Sequence, residues 1–261
     1  NKTGYYQLSI LDVEISCQSG SDFRVCNGKQ LGGLIALMKN PGGLMEIDRV
    51  AIGSAGSTAA ILKGANGHND CITGGLLGVV CLYPNMNVTN TRLEHAAVVG
   101  QMASGGAVGQ IENKNRTTNE AYVPKVRLEN LAIENSAVAI CGNRNGVGGL
   151  YGYLSGASAH ITGFNILLKD NRIGYLLSDS GNAYRWSVPS EWTGTLPIGL
   201  VNGDNGNAGI FGGRMNSWSG YGYTVRFTGV SLQQAENTVP TQDFGTALGE
   251  GDYLVRSDYT G

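Results

Sequence analysis

Two short phrases hold the residue types best suited to chemistry: Thr91-Arg92-Leu93-Glu94-His95 and Val126-Arg127-Leu128-Glu129-Asn130. If Glu94 and Glu129 align on neighbouring strands they form a carboxylate pair. Such pairs cleave glycosidic bonds, with retention at about 5 Å separation and inversion at about 6.5 to 9.5 Å. Arg92 and Arg127 stand two positions earlier on the same strand face, and they favour another use for the carboxylates. In that use the phrases form a surface Arg/Glu ladder holding successive repeats in register, worth about 0.2 to 1 kcal/mol per pair. His95 and Asn130 then fall at matched positions of an outward-facing ladder. No catalytic residue is assigned, and a polysaccharide lyase or glycosidase using Glu94 and Glu129 is kept as the alternative.

Other chemistry finds little support. There is no HExxH phrase, and His68, His95 and His160 are scattered along the chain. The five cysteines contain no CxxC pair, so neither a metal nor a cofactor is expected. The glycine-rich phrases lack the GKS or GKT of a phosphate loop. Ser180, in Asp179-Ser180-Gly181, reads as a turn serine, and Asp204, Asn205 and Asn207 read as a polar turn rather than calcium ligands. Cys17 with Cys26, and Cys71 with Cys81, are the most economical disulfides, each contributing about 2 to 3 kcal/mol where geometry permits. Cys141 is then a buried thiol. Asn1, Asn87 and Asn115 open sequons that are glycosylation candidates in a secretory setting.

A net charge of −2 with 15% charged residues offers no basic field, so neither nucleic acid nor anionic lipid is an expected partner. No apolar stretch approaches the roughly 20 residues of a membrane-spanning helix, and no membrane insertion is expected. The chain opens on Asn1 without a charged and apolar leader, which fits a processed, exported protein.

The elements that must position these residues are announced by a repeated phrase. Gly32-Gly33-Leu34, Gly74-Gly75-Leu76, Gly105-Gly106-Ala107, Gly148-Gly149-Leu150 and Ala208-Gly209-Ile210 recur through a chain with 41 glycines and only 6 prolines. In each doublet one glycine is expected to supply a positive-φ corner and the other to let the backbone pack closely on its neighbour. Alternating segments follow at residues 44–51, 86–99, 126–140, 160–173 and 223–232, and period-two alternation argues for half-buried strands. The first alternating run, residues 6–15, slips at Leu11-Asp12, as at a bulge. A unit that cannot cover its own apolar face must stack on the next. The expected fold is therefore all-β: a Gly-rich β-solenoid, β-helix-like, with irregular rungs and atypical terminal segments. Residues 1–31 form an N-terminal strand or cap, 32–234 the solenoid with a loop insert at 178–207, and 235–261 a C-terminal tail or cap.

Gly148-Gly149-Leu150-Tyr151-Gly152-Tyr153-Leu154-Ser155-Gly156-Ala157, followed by Ile161-Thr162-Gly163-Phe164-Asn165-Ile166, resembles the GLUG motif. That motif occurs in bacterial surface proteins, including regions flanking streptococcal immunoglobulin-A-cleaving metallopeptidases and Bacteroidetes adhesin-like proteins. The resemblance covers about residues 32–232, with inserts at 84–88 and 113–124. It implies an extracellular β-solenoid platform and carries no catalytic residues.

Tyr184, Trp186 and Trp192 in the insert, with Trp218, Tyr221 and Tyr223 after it, are the ligand-binding candidates, because exposed aromatics on loops stack on sugars or anchor protein partners. The expected role is an exported structural or adhesive protein of the cell surface, assembling into a filament by self-association through its terminal strands and contacting a glycan or protein receptor. A trimeric phage tail or spike domain is a further alternative.

Overall fold

The computed structural model of the chain describes residues 7–16, 22–26, 28–39, 43–54, 58–62, 70–81, 85–113, 123–140, 146–175, 208–217 and 221–233. These residues build four parallel sheets and contain no helix. Sheet A has six strands, β1 (Gln7–Ile15), β5 (Leu44–Ile52), β9 (Asn85–Glu94), β13 (Lys125–Glu134), β17 (Ala159–Lys169) and β21 (Tyr223–Gln233), in that spatial order. Sheet B orders β2 (Asp22–Cys26), β6 (Thr58–Leu62), β10 (Ala96–Gly100), β14 (Ala137–Ile140) and β18 (Arg172–Tyr175). Sheet C holds the short strands β3 (Gln30–Gly32), β7 (Ile72–Gly74), β11 (Ala103–Gly105), β15 (Gly146–Gly148) and β19 (Ala208–Gly209). Sheet D holds β4 (Ile35–Lys39), β8 (Leu77–Cys81), β12 (Val108–Asn113), β16 (Tyr151–Gly156) and β20 (Gly212–Ser217). The chain visits A, B, C and D in turn, and each strand pairs with the strand four places later.

Within the expected N-terminal segment, β1, β2 and β3 pair with β5, β6 and β7. Two corrections follow. The alternating runs 86–99, 126–140 and 160–173 each span two strands, because His95 (φ 48°), Asn135 (φ 47°) and Asp170 (φ 51°) turn the backbone left-handed between sheets A and B. The fifth glycine phrase is offset by one residue, with Gly209 rather than Ala208 beside Gly148. The insert at 178–207 and the tail at 235–261 lie outside the described residues.

Alternation in sheet A works as the side-chain period requires. The columns Leu8–Met45–Met86–Val126–Ile161–Val225 and Ile15–Ile52–Leu93–Ile133–Leu168–Leu232 run through the stack on its inner face. Met45, Ile47, Ile52, Met86, Leu93, Leu131 and Ile133 are fully buried there. Each such side chain contributes about 1.5 to 3 kcal/mol relative to exposure. A smaller cluster of Ile72, Val79, Cys81 and Ala103, with Met102 and Tyr153 against it, joins sheets C and D.

The glycine doublets lie in register, Gly32–Gly74–Gly105–Gly148, as stacking demands. Their conformation differs from expectation. The only positive-φ glycines among the described residues are Gly53, Gly156 and Gly229, so neither doublet position is a left-handed corner. Both serve close approach. A Cβ on Gly105 would lie 2.0 Å from Val108 O in its own corner, and one on Gly106 would lie 2.1 Å from Gly149 O in the next repeat. Backbone bonds continue through the corner, with Gly75 N donating to Gly105 O at 3.0 Å and Ala107 N to Leu150 O at 2.9 Å.

Gly106→Ala is expected to cost about 3 kcal/mol or more, the size associated with a forced backbone clash in a packed interior. Gly222→Ala, whose new methyl meets nothing within 4 Å, should be near neutral. Denaturant unfolding of the two variants measures the difference.

Candidate functional site

The outer face of sheet A holds most of the described charged and amide side chains, and one column organises it. Asp12, Arg49, Asn90, Asn130 and Asn165 occupy equivalent places on successive strands, all with φ between 48° and 55°, and Gly229 (φ 64°) completes the column. The slip at Leu11-Asp12 is the first member. A left-handed residue here inserts one unpaired position and re-phases the alternation. Asn and Asp tolerate this conformation best among residues with side chains.

The amides form a directed chain. Asn165 Nδ2 donates to Asn130 Oδ1, Asn130 Nδ2 to Asn90 Oδ1, and Asn90 Nδ2 to Asp48 Oδ1, each at 2.8 Å. An ionised carboxylate only accepts, so Asp48 fixes the orientation of every amide behind it. Thr89 Oγ1 donates to the same Asp48 oxygen at 2.7 Å. Arg49 bonds Asp48 and reaches Asp12 through Nε and Nη2. The Thr89 and Asn90 bonds hold the Asp48 carboxyl below its usual range, and the Arg49 bond does so for Asp12.

The expected Arg/Glu ladder between repeats does not form. Arg92 pairs with Glu94 at 3.2 Å and Arg127 pairs with Glu129, but both are pairs within a single strand. The register sets Glu129 beside Thr89 and Glu94 beside Glu134, so Glu94 and Glu129 do not come together. The two similar phrases are displaced by five residues in the stack. His95 therefore matches Asn135, not Asn130, and its Nε2 lies 3.5 Å from Glu94 Oε1. His160 is on β17 beside Lys125, His68 lies outside the described residues, and no metal-holding cluster occurs among the described residues.

Between two outer columns runs a shallow groove, parallel to the stacking direction. Its floor is the backbone around Leu128 and Gly163. Arg127, Thr162 and Arg226 form one wall, and Phe164 and Thr228 the other. Phe164 is 56% exposed. A Cβ at Gly229 would lie in ordinary contact, 3.8 Å from Phe164 Cε2, so the glycine leaves that side of the ring open. Arg226 has no hydrogen bond or ion pair among the described residues. Phe227, one residue on, points inward. It fills the space that Gly163 leaves and stacks on Phe211 with ring centroids 5.2 Å apart.

Of the aromatic binding candidates, Tyr184, Trp186, Trp192 and Trp218 lie outside the described residues. Tyr221 is half-buried. Tyr223 packs on the core, with its hydroxyl 3.0 Å from Asn216 O and 3.3 Å from Gly156 O. Burial, then the nearby Tyr153, raises its pKa. Phe164 and Arg226 were not singled out from the sequence, although an aromatic at an outward phase becomes readable once Asn165 is seen to re-phase the strand.

The Cys71–Cys81 disulfide is not formed. Cys71 Sγ is 3.5 Å from Thr73 Oγ1, whereas the Cys81 thiol donates to Glu112 Oε2 at 3.2 Å, so the two sulfurs turn to different partners. Cys26 ends β2, and its proposed partner Cys17 lies outside the described residues, as do Cys141, Asn1 and Asn115. Asn87 is half-buried on the outer face of β9. Comparison with protein-family models, with curated proteins and with solved structures gives no match.

Asn130→Ala removes one donated and one accepted bond and leaves a less tolerant residue left-handed, so it should cost about 1 to 2 kcal/mol. Asn130→Gly, which relieves the backbone, should cost less, as thermal unfolding would measure. Asp12 and Asp48 ionise more readily folded than unfolded, so their stabilisation is present above about pH 4 and is lost as pH falls through the lowered folded values. Acid unfolding of Asp48→Asn should accordingly be less steep below about pH 4 than that of the parent chain.

Proposed function

We propose that the chain is a β-solenoid working as a stiff structural or adhesive module of the cell surface, extended by stacking copies end to end. The carrying observation is the single register of sheet A, which reaches β1 and β21 without a break and leaves each with one unpaired edge among the described residues. Such edges invite strand addition.

The two edges also match in pattern. Continued in the same register, Leu8, Ile10, Val13 and Ile15 of one copy would meet Val225, Phe227, Val230 and Leu232 of another, apolar against apolar at every inner position. The left-handed Asp12 would fall beside the left-handed Gly229. Leu8 is 41% exposed and Leu232 48% exposed, so both ends retain apolar surface among the described residues. The GLUG-like phrases support an extracellular setting for this assembly.

Light scattering and electron microscopy test the reading. The purified chain should give elongated particles whose mass rises with concentration. Leu8→Lys or Leu232→Lys, each placing a charge at one inner edge position, should stop that growth while leaving a folded protein. A parent chain that stays monomeric, or a lysine variant with an unchanged size distribution, would reject end-to-end stacking. A discrete trimer would favour the spike alternative.

A further inference from the structure

We infer that the groove across β13, β17 and β21 binds an acidic polysaccharide laid along the stacking direction. This rests on sheet A as described and is independent of whether copies stack.

Three features of the groove select that ligand. Arg226 presents a cation with no partner among the described residues, and Arg127 stands two strands away on the same wall with its side chain 61% exposed. Anionic groups spaced along a chain complement that wall. The exposed face of Phe164, on the other wall, suits the apolar face of a sugar ring. The hydroxyls of Thr162 and Thr228 reach only the strand carbonyls Val126 O and Gly163 O, each at the long distance of 3.5 Å, and can turn toward sugar hydroxyls.

Direction and floor argue for a glycan over a peptide. Side chains of one column repeat at the strand spacing of about 4.8 Å, close to the length of one pyranose unit, so successive sugars would meet successive strands: Arg127 and Glu129 on β13, Thr162 and Phe164 on β17, Arg226 and Thr228 on β21. An extended peptide is held mainly by main-chain hydrogen bonds at a sheet edge. Here the floor is the middle of a sheet, where β13 and β17 are paired on both sides and offer no such edge. Duplex nucleic acid carries about one charge per 1.7 Å and needs a broad cationic field, whereas Arg127 and Arg226, two strands apart, answer the sparser charge of one carboxylate per sugar.

The test is titration calorimetry of the full chain against polygalacturonate, with dextran as the neutral polymer and poly-glutamate as the acidic peptide. Polygalacturonate should bind, more weakly as salt rises, and dextran should not. Phe164→Ala and Arg226→Gln, both exposed changes expected to keep the parent's circular dichroism, should each weaken binding by about tenfold. The inference is overturned by absence of polygalacturonate binding, by equal binding of parent and both variants, or by poly-glutamate binding as tightly, which would make the site an acidic-peptide groove.

Discussion

Three columns of glycine set the dimensions of everything else. At Gly74, Gly105 and Gly148 a side chain would strike the carbonyl three residues on, and at Gly75, Gly106 and Gly149 it would strike the next repeat. The third column, Gly78, Gly109 and Gly152, passes so near sheet C that a Cβ on Gly109 would lie 2.6 Å from Thr73 O. Backbone thus lies against backbone where sheet C turns into sheet D. That contact fixes how far Leu76, Ala107 and Leu150 reach inward from the corner, and so how much space the side chains of sheet A must fill. The glycines cost backbone entropy that any other residue would save, and the paired corner amides offset it.

On the opposite side of the stack the constraint is conformational. Sheet A can carry two apolar inner stretches in each strand only because a left-handed residue re-phases the alternation between them. The column does more than bend the chain. By gathering amides at one place it makes a hydrogen-bonded ladder oriented from one end by the Asp48 carboxylate, in a series whose members polarise one another. Glycine at position 229 keeps the bend and drops the ladder, which clears the surface beside Phe164.

The strand content and the glycine register were legible because both follow from local rules: alternation with period two, and phrases that recur where a side chain cannot fit. Register within sheet A was not. Thr91-Arg92-Leu93-Glu94 and Val126-Arg127-Leu128-Glu129 look alike because each is an alternating strand with an outward Arg and Glu, and that likeness holds on either side of the left-handed position. The whole strand decides between the alignments: Met86 and Val88, before the left-handed Asn90, stand beside Val126 and Leu128, before the left-handed Asn130, so Thr91 falls beside Leu131. The Cys71–Cys81 pairing failed for a related reason. Nearness in sequence predicts a short loop, but the direction in which each sulfur points depends on partners such as Glu112, supplied by another repeat. The groove was invisible for the same cause: Arg127, Phe164 and Arg226 are far apart in the chain and meet only through the stacking of β13, β17 and β21.

These constraints divide the surface unequally. Inner positions answer to neighbours above and below, and a change at Met86 or Ile133 is felt by two further repeats. Glycine positions answer to backbone and admit almost nothing else. Outer positions of sheet A answer only to solvent and to the adjacent outer side chain, so one column can hold Ser9, Glu46, Asn87, Arg127, Thr162 and Arg226 without disturbing the fold. The same column is acidic at β5 and basic at β13 and β21. A stack so tightly specified inside leaves its outer columns as the place where sequence can vary at low cost in stability. Phe164, more than half exposed, and Arg226, with no ion pair among the described residues, stand in two such outer columns, where the packing of the inner face asks for neither.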